Sequence, residues 1–154
     1  MNISIGADHR GSDITLRLSQ FLRDHGHNVK RHGPADGEPC DYPEAAFRVG
    51  SDVASGQSER GILVCGTGIG MSIAANKIPG IRAAVVHDEL TAHLARSHND
   101  ANVLCLSADL LGERAIEKIV DVFLKDPFEG GRHARRIAKI KAIEVGAEPS
   151  SVTE

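Results

Sequence analysis

Tryptophan is absent from this 154-residue chain, and aromatic residues make up only 3% of it. Proteins that hold single-stranded nucleic acid stack bases on such rings, so too few are present for that mode of binding. An excess of one charge is also missing: 18 Lys and Arg against 21 Asp and Glu leave a net charge of −3, with an isoelectric point near 6.2. No broad basic field exists to draw in nucleic acid or an anionic membrane surface. No apolar run approaches the ~20 residues of a membrane span, and the first residues read as a strand, not as a basic stretch followed by an apolar leader. Cysteine is sparse, with Cys40, Cys65 and Cys105 odd in number and unpaired by spacing. Free thiols in a reducing cytoplasm are therefore expected, with no membrane and no nucleic-acid partner.

What is present is ordinary globular material, 41% hydrophobic and 25% charged, long enough to bury a core without metal or disulfide. A single domain over residues 1–144 is expected, followed by a polar C-terminal tail over 145–154. Apolar runs alternate with amphipathic stretches. Asn2 to Ala7 reads as a strand, followed by a polar turn and a helical pattern in Ile14, Leu18, Phe21 and Leu22 that ends before Gly26. Asn28 to His32 is a short second strand, and residues 33–41 are loop by composition. Asp41 can cap a helix carrying Pro43 in its first turn. Gly61 to Cys65 is a buried strand running into a glycine loop and a helix through Lys77. Ile81 to Val86 and Val103 to Leu106 complete five strands, with helices from Asp88, from about Gly112 and from about Arg132.

Strands alternating with helices specify an α/β fold, a doubly wound three-layer sandwich with a five-stranded parallel sheet. Right-handed crossovers make 2-1-3-4-5, the Rossmann-like or flavodoxin-like order, the expected one. That order sets strands one and three side by side and opens a crevice between them, lined by Asp8, His9 and the residues from Cys65 onward.

The loop Gly66-Thr67-Gly68-Ile69-Gly70 lies between a buried strand and a helix, where bare backbone can approach an anion. It is a poor dinucleotide fingerprint, because its third glycine falls at 70 and it follows the third strand. Neither Lys-Ser/Thr nor the Arg of a cysteine phosphatase loop is present, since Met71 stands in that place. A turn that merely packs strand on helix remains the plain alternative. Cys65, taken alone, reads as inert core; facing helix-start N–H groups at a crevice, it reads as an accessible thiolate. Asp8 and His9 are either a turn cap or ligand contacts. His98 is either a partner of a helix end or a functional group. Arg132 and Arg136, one helical turn apart, form either a solvated face or a phosphate clamp. His93 and His98 are five apart, not the four of a helical zinc pair, so no metal site is expected.

Five segments, GADHRG (6–11), DYPE (41–44), GILVCGTGIGMSIAANKIPGIRAA (61–84), SHNDANVLCLS (97–107) and EGGRHARRIAKI (129–140), give the chain its likeness. It resembles the type B ribose-5-phosphate isomerase family, which includes the galactose- and allose-6-phosphate isomerases. The resemblance implies interconversion of ribose 5-phosphate and ribulose 5-phosphate through an enediolate, with Cys65 as the base. Thr67 and the N–H groups of Gly66, Gly68, Ile69 and Gly70 would hold the enediolate oxygen, and His98 would assist ring opening. Asp8, His9, Tyr42 and Asn99 would contact the sugar, with His9, Arg132 and Arg136 near the phosphate. It also implies no cofactor, and a homodimer or homotetramer in which a second subunit lends His98 and Asn99. One position departs: where many members carry Arg shortly after the fifth strand, this chain has Asp109. The alternatives are a hexose-6-phosphate isomerase on the same scaffold and a non-catalytic sugar-phosphate sensor.

Overall fold

Five short runs, mostly apolar except for the second, form the strands in a computed structural model that describes residues 1–34 and 38–153. They are β1 (Asn2–Ala7), β2 (Asn28–His32), β3 (Arg60–Cys65), β4 (Ala83–Val85) and β5 (Val103–Ser107). Along β1, β3 and β5 nearly every residue is buried, as strands covered on both faces require. The helices are α1 (Ser12–Asp24), α2 (Tyr42–Ala54), α3 (Ile69–Ala75), α4 (Glu89–Ser97), α5 (Glu113–Lys125) and α6 (Arg132–Glu144). Residues 35–37 of the expected 33–41 loop lie outside the described residues. After α6 the chain makes a short 3-10 turn at Pro149–Ser151.

All four strand pairings are parallel, and the order is 2-1-3-5-4. The doubly wound class holds, but the last two strands are exchanged relative to the expected 2-1-3-4-5. The reason lies in their composition. β5 (VLCLS) is buried at every position and fills an interior place, pairing with β3 from Gly61↔Val103 to Cys65↔Ser107. β4 has three residues, all half-buried, and a short strand of small residues suits an edge.

The exchange also fixes which face each helix covers. Right-handed connections that step toward β4 put α2 and α3 on one face, and those that step back put α1 and α4 on the other. Leu18, Leu22, Ala92, Ala95, Ile116, Ile119 and Phe123 accordingly share one core with Ile5, Val64 and Leu106. Ala45, Ala46, Val49, Met71 and Ala75 share the second with Leu63, Cys65 and Cys105. The second layer is thin because glycine lets α2 lie close: a Cβ at Gly61 would come 2.7 Å from Val49 Cγ1. Burial pushes the Cys105 thiol far above its ordinary range, which suits the structural role expected of it.

Each of α1 to α5 returns antiparallel to the strands, so helix starts gather at the carboxyl edge of the sheet and helix ends at the amino edge. Asn102 Oδ1 accepts from Arg82 N–H at 2.8 Å, and Ser97 O accepts from Glu129 N–H at 3.0 Å, which ties the amino-edge loops together.

One polar network is set into the second core. Asp52 on α2 accepts from Ser4 Oγ (2.8 Å) and Lys30 Nζ (2.9 Å), and His32 Nε2 lies 2.7 Å away. Burial alone would raise the Asp52 pKa, but the hydrogen bonds from Lys30, His32 and Ser4 outweigh it and hold the carboxyl below its usual range. A depressed folded-state pKa contributes stability that is complete above the unfolded value of about 3.9 and is lost as pH falls through the folded value. Asp52→Asn is expected to cost about 3 kcal/mol at neutral pH, lowering Tm by roughly 5–10 °C, and to flatten the acid side of the Tm–pH curve. Thermal denaturation of both proteins between about pH 3 and 7 checks this, and an unchanged acid limb would rule the network out as its source.

Candidate active site

β3 delivers Cys65 to the carboxyl edge, where its side chain is 4% exposed. The Gly68 N–H donates to Cys65 Sγ at 3.1 Å. Gly68 can do so because it adopts φ +78°, a left-handed conformation in which a Cβ would also press on the Leu106 backbone at 3.2 Å. Helix α3 is shorter than the helix through Lys77 that the sequence suggests, ending at Ala75. The single Gly68 N–H is the donor that meets the sulfur, at the start of a two-turn helix.

The loop is braced from β5. Ser107 Oγ donates to the Gly66 carbonyl at 2.6 Å, and the Asp109 N–H donates to the same oxygen at 3.1 Å. A peptide is planar and trans, so holding the Gly66 C=O toward β5 turns the Thr67 N–H the other way. That N–H has no acceptor among the described residues. Thr67 Oγ1 accepts from the Ile69 N–H at 3.3 Å. Tyr42, the first residue of α2, lays its ring on Gly70: a Cβ there would stand 2.7 Å from Tyr42 Cε2.

Asp8 serves as the turn cap. Its Oδ1 accepts from the N–H groups of Arg10 (2.9 Å) and Gly11 (3.2 Å), while Oδ2 has no partner among the described residues. His9 is exposed, with Nδ1 3.4 Å from the Cys40 carbonyl. Arg10, which no sequence motif singles out, pairs with Asp109: Nη2 and Nε lie 2.7 and 3.2 Å from Asp109 Oδ1. The hydrogen bond and charge of Asp109 hold the Arg10 guanidinium above its ordinary pKa. The negative charge that departs from the family pattern thus faces a positive one from the β1 turn.

The remaining predicted residues sit at the amino edge. His98 closes α4, and its ring stacks on that of His133 with centroids 4.1 Å apart. Glu129 Oε2 lies 3.9 Å from His98 Nε2 and 3.8 Å from His133 Nε2. Burial, reinforced by His98, Arg132 and Arg136, pushes the His133 pKa down. The donor atoms of His98, Glu129 and His133 fall within 4.8 Å of one another, a spacing a cation can bridge. Arg132 Nε lies 3.4 Å from His133 Nε2, however, so a guanidinium already presses on that spot. Residue patterns alone did not mark His133 or Glu129 as candidates; their i,i+4 spacing beside Arg132 was the available signal.

The predicted site therefore divides in two. Cys65, Thr67, Gly66, Gly68, Ile69, Gly70, Asp8, His9 and Tyr42 meet at one edge, while His98, Asn99, Arg132 and Arg136 meet at the other. The six residues of β3, at ~3.3 Å each, separate the two groups by roughly 17–20 Å. None of the main concavities of the described residues is lined by the carboxyl-edge group. Two of them lie beside Pro34, Cys40 and Arg48, and beside Arg82, Asn99 and Ile140, and Cys65 lines neither.

A thiol held against a main-chain donor, beside an amide unpaired among the described residues at the crevice of a doubly wound sheet, defines a class of α/β proteins equipped for proton transfer next to a carbonyl. The chain belongs to the ribose/galactose isomerase family, whose model it matches over residues 3–140. It is similar to ribose-5-phosphate isomerase B of Escherichia coli, with 43% identity over 92% of this chain and 95% of that one. The galactose-6-phosphate isomerase subunit LacB of Clostridium acetobutylicum is 40% identical over 90% of this chain and 80% of that one. Among solved structures, ribose-5-phosphate isomerase B of Clostridium thermocellum superposes with a TM-score of 0.93 and 46% identity, covering 95% of this chain and 99% of that one.

Gly68→Ala tests the loop geometry. A Cβ in the left-handed region costs about 1–2 kcal/mol, and displacing the donor from Cys65 is expected to lower isomerase turnover at least about tenfold. Denaturation midpoint and initial rate, measured on the same preparation, check both; full turnover in a folded variant would contradict the role given to this amide.

Proposed function

We propose that this chain interconverts ribose 5-phosphate and ribulose 5-phosphate by proton transfer through an enediolate, with Cys65 as base. The observation that carries the reading is the contact between Cys65 Sγ and the Gly68 N–H, beside a Thr67 N–H with no acceptor among the described residues. As a thiolate, Cys65 takes the C2 proton of the open-chain aldose. The C–H electron pair becomes the C1–C2 double bond, and the carbonyl pair moves onto O1. The Thr67 N–H and its neighbours meet that charge as it grows, where each such donor is worth about 3–4 kcal/mol. A proton then passes from O2 to O1, the thiol returns its proton to C1, and the ketose carbonyl forms at C2. Asp8 Oδ2, His9, Tyr42 and Asn99 are assigned to the sugar and Arg132 and Arg136 to the phosphate.

A second copy of the chain belongs to the same proposal. A substrate as short as a pentose phosphate cannot reach both edges of one sheet, so we assign His98, Asn99, Arg132 and Arg136 of each site to that second copy. Apolar side chains beside the Cys65 loop support this: Phe47 on α2 and Ile69 and Ile73 on α3 are all more than half exposed, an unfavourable surface unless a copy covers it. Ring opening by His98 would then act from across the subunit boundary. No helix among the described residues is long and apolar enough to cross a membrane, and the three free cysteines support a cytoplasmic setting.

Cys65→Ala is expected to abolish ketose formation and solvent-deuterium exchange at C2 while ribose 5-phosphate still binds; near-normal exchange would refute the base. Turnover on ribose 5-phosphate, allose 6-phosphate and galactose 6-phosphate, run side by side with the unaltered protein, decides between pentose and hexose substrates. Mixing Cys65→Ala with His98→Asn subunits tests the shared site. Reassortment of a symmetric dimer leaves one intact site in each mixed pair, so activity should recover to roughly a quarter of normal. No recovery after confirmed subunit exchange would place both groups within one chain.

A further inference from the structure

Resting on the function proposed above, we infer that Arg10 is a phosphate-recognition residue contributed by the same subunit as the base, held in place by Asp109. The pair stands directly over Gly66, the residue after Cys65. A Cβ at Gly66 would lie 3.1 Å from Asp109 Oδ2 and 3.3 Å from both Cδ and Nε of Arg10. Glycine at this position is what lets the guanidinium settle over the amide loop.

Asp109 is not a loosely hung surface carboxylate. Its backbone N–H is bonded to the Gly66 carbonyl, and the next residue's N–H, that of Leu110, donates to Ser107 Oγ at 3.0 Å. The backbone that carries the carboxylate is therefore fixed to the very peptide that orients the Thr67 N–H. Both contacts from Arg10, through Nε and Nη2, go to one oxygen, Oδ1. Nη1 has no partner among the described residues, so it keeps two donors for an anion, and the side chain is 55% exposed. A guanidinium tethered on one side and open on the other presents its remaining donors at a set angle, the condition under which a phosphate is read by geometry as well as by charge.

Two other cations close to the loop do not have this freedom. Arg31 is committed to Ser12, Thr15 and Pro34, and His9 leans on the Cys40 carbonyl. With C1 and C2 of the sugar at Cys65, the phosphate follows three carbons on, and Arg10 stands over Gly66, the residue after the thiol, with Nη1 unpartnered among the described residues. Asp109 is a positioning residue, because it acts through Arg10.

The test uses the full chain. Arg10→Ala is expected to raise KM for ribose 5-phosphate by roughly 10- to 100-fold, and to weaken competitive inhibition by inorganic phosphate in parallel, with kcat changed less than about threefold. The double variant Arg10→Ala/Asp109→Ala separates a lost contact from an uncovered carboxylate. If the double variant keeps the raised KM and weakened phosphate inhibition, the lost Arg10 contact is responsible; if both return to normal, Asp109 repulsion caused the effect and the inference is overturned. Unchanged KM and phosphate inhibition in Arg10→Ala overturn it as well. Direct titration of inorganic phosphate into the unaltered and Arg10→Ala proteins reads the same contact without turnover, so failure of the proposed reaction and failure of this inference are told apart.

Discussion

The carbonyl of Gly66 is the point on which the chemistry of this fold turns. Two donors from β5, the Ser107 hydroxyl and the Asp109 amide, take hold of it. Because the peptide is rigid, that grip decides where the next amide points. The grip is available only because β5, and not β4, lies beside β3. Had the last two strands kept chain order, the short alanine-rich strand would have stood next to the thiol, and the loop that now braces Gly66 would have been one strand further away. A change in strand order that looks like a topological detail is thus what sets the orientation of the amides.

The division of polar groups between the two edges follows from an equally simple constraint. A βαβ unit brings the chain back to its starting edge after every helix, so a residue just after a strand and a residue just after a helix cannot meet within one sheet. Cys65 is of the first kind and His98 of the second. The exposed apolar rim of α2 and α3 accompanies the first group, and the stacked histidines accompany the second.

Much of this was readable from residue patterns. β1 and β2 begin and end where the runs NISIGA and NVKRH do, the first buried from Ile3 onward and the second a polar strand with only Val29 buried. The caps were readable in part: Asp88 does open α4, where it closes a capping box with Thr91, whereas Asp41 stands at the N-cap of α2 without a side-chain hydrogen bond to the helix. What composition could not reveal is spatial. Strand order depends on which of two apolar segments fills an interior slot, and Ile81 to Val86 looked as good a strand as Val103 to Leu106 until their burial separated them. The Asp8 cap, a default for its residue type, proved to be its role through one oxygen only. Arg10 escaped notice because a basic residue in a turn carries no periodicity, and its meaning appears only when Asp109, 99 positions later, stands beside it.

The thin second layer has a mechanical consequence. Gly61, near the start of β3, admits the side chain of Val49, and so sets how far α2 stands from the sheet. The same helix carries Tyr42 at its other end, resting on Gly70. Val49 and Val53, in the second half of that helix, both lie against Gly61, so bulk added there lifts this half and tilts the first. Residues at the far edge from the thiol are in this way coupled to the shape of the crevice through the stiffness of one helix, without touching any reacting atom.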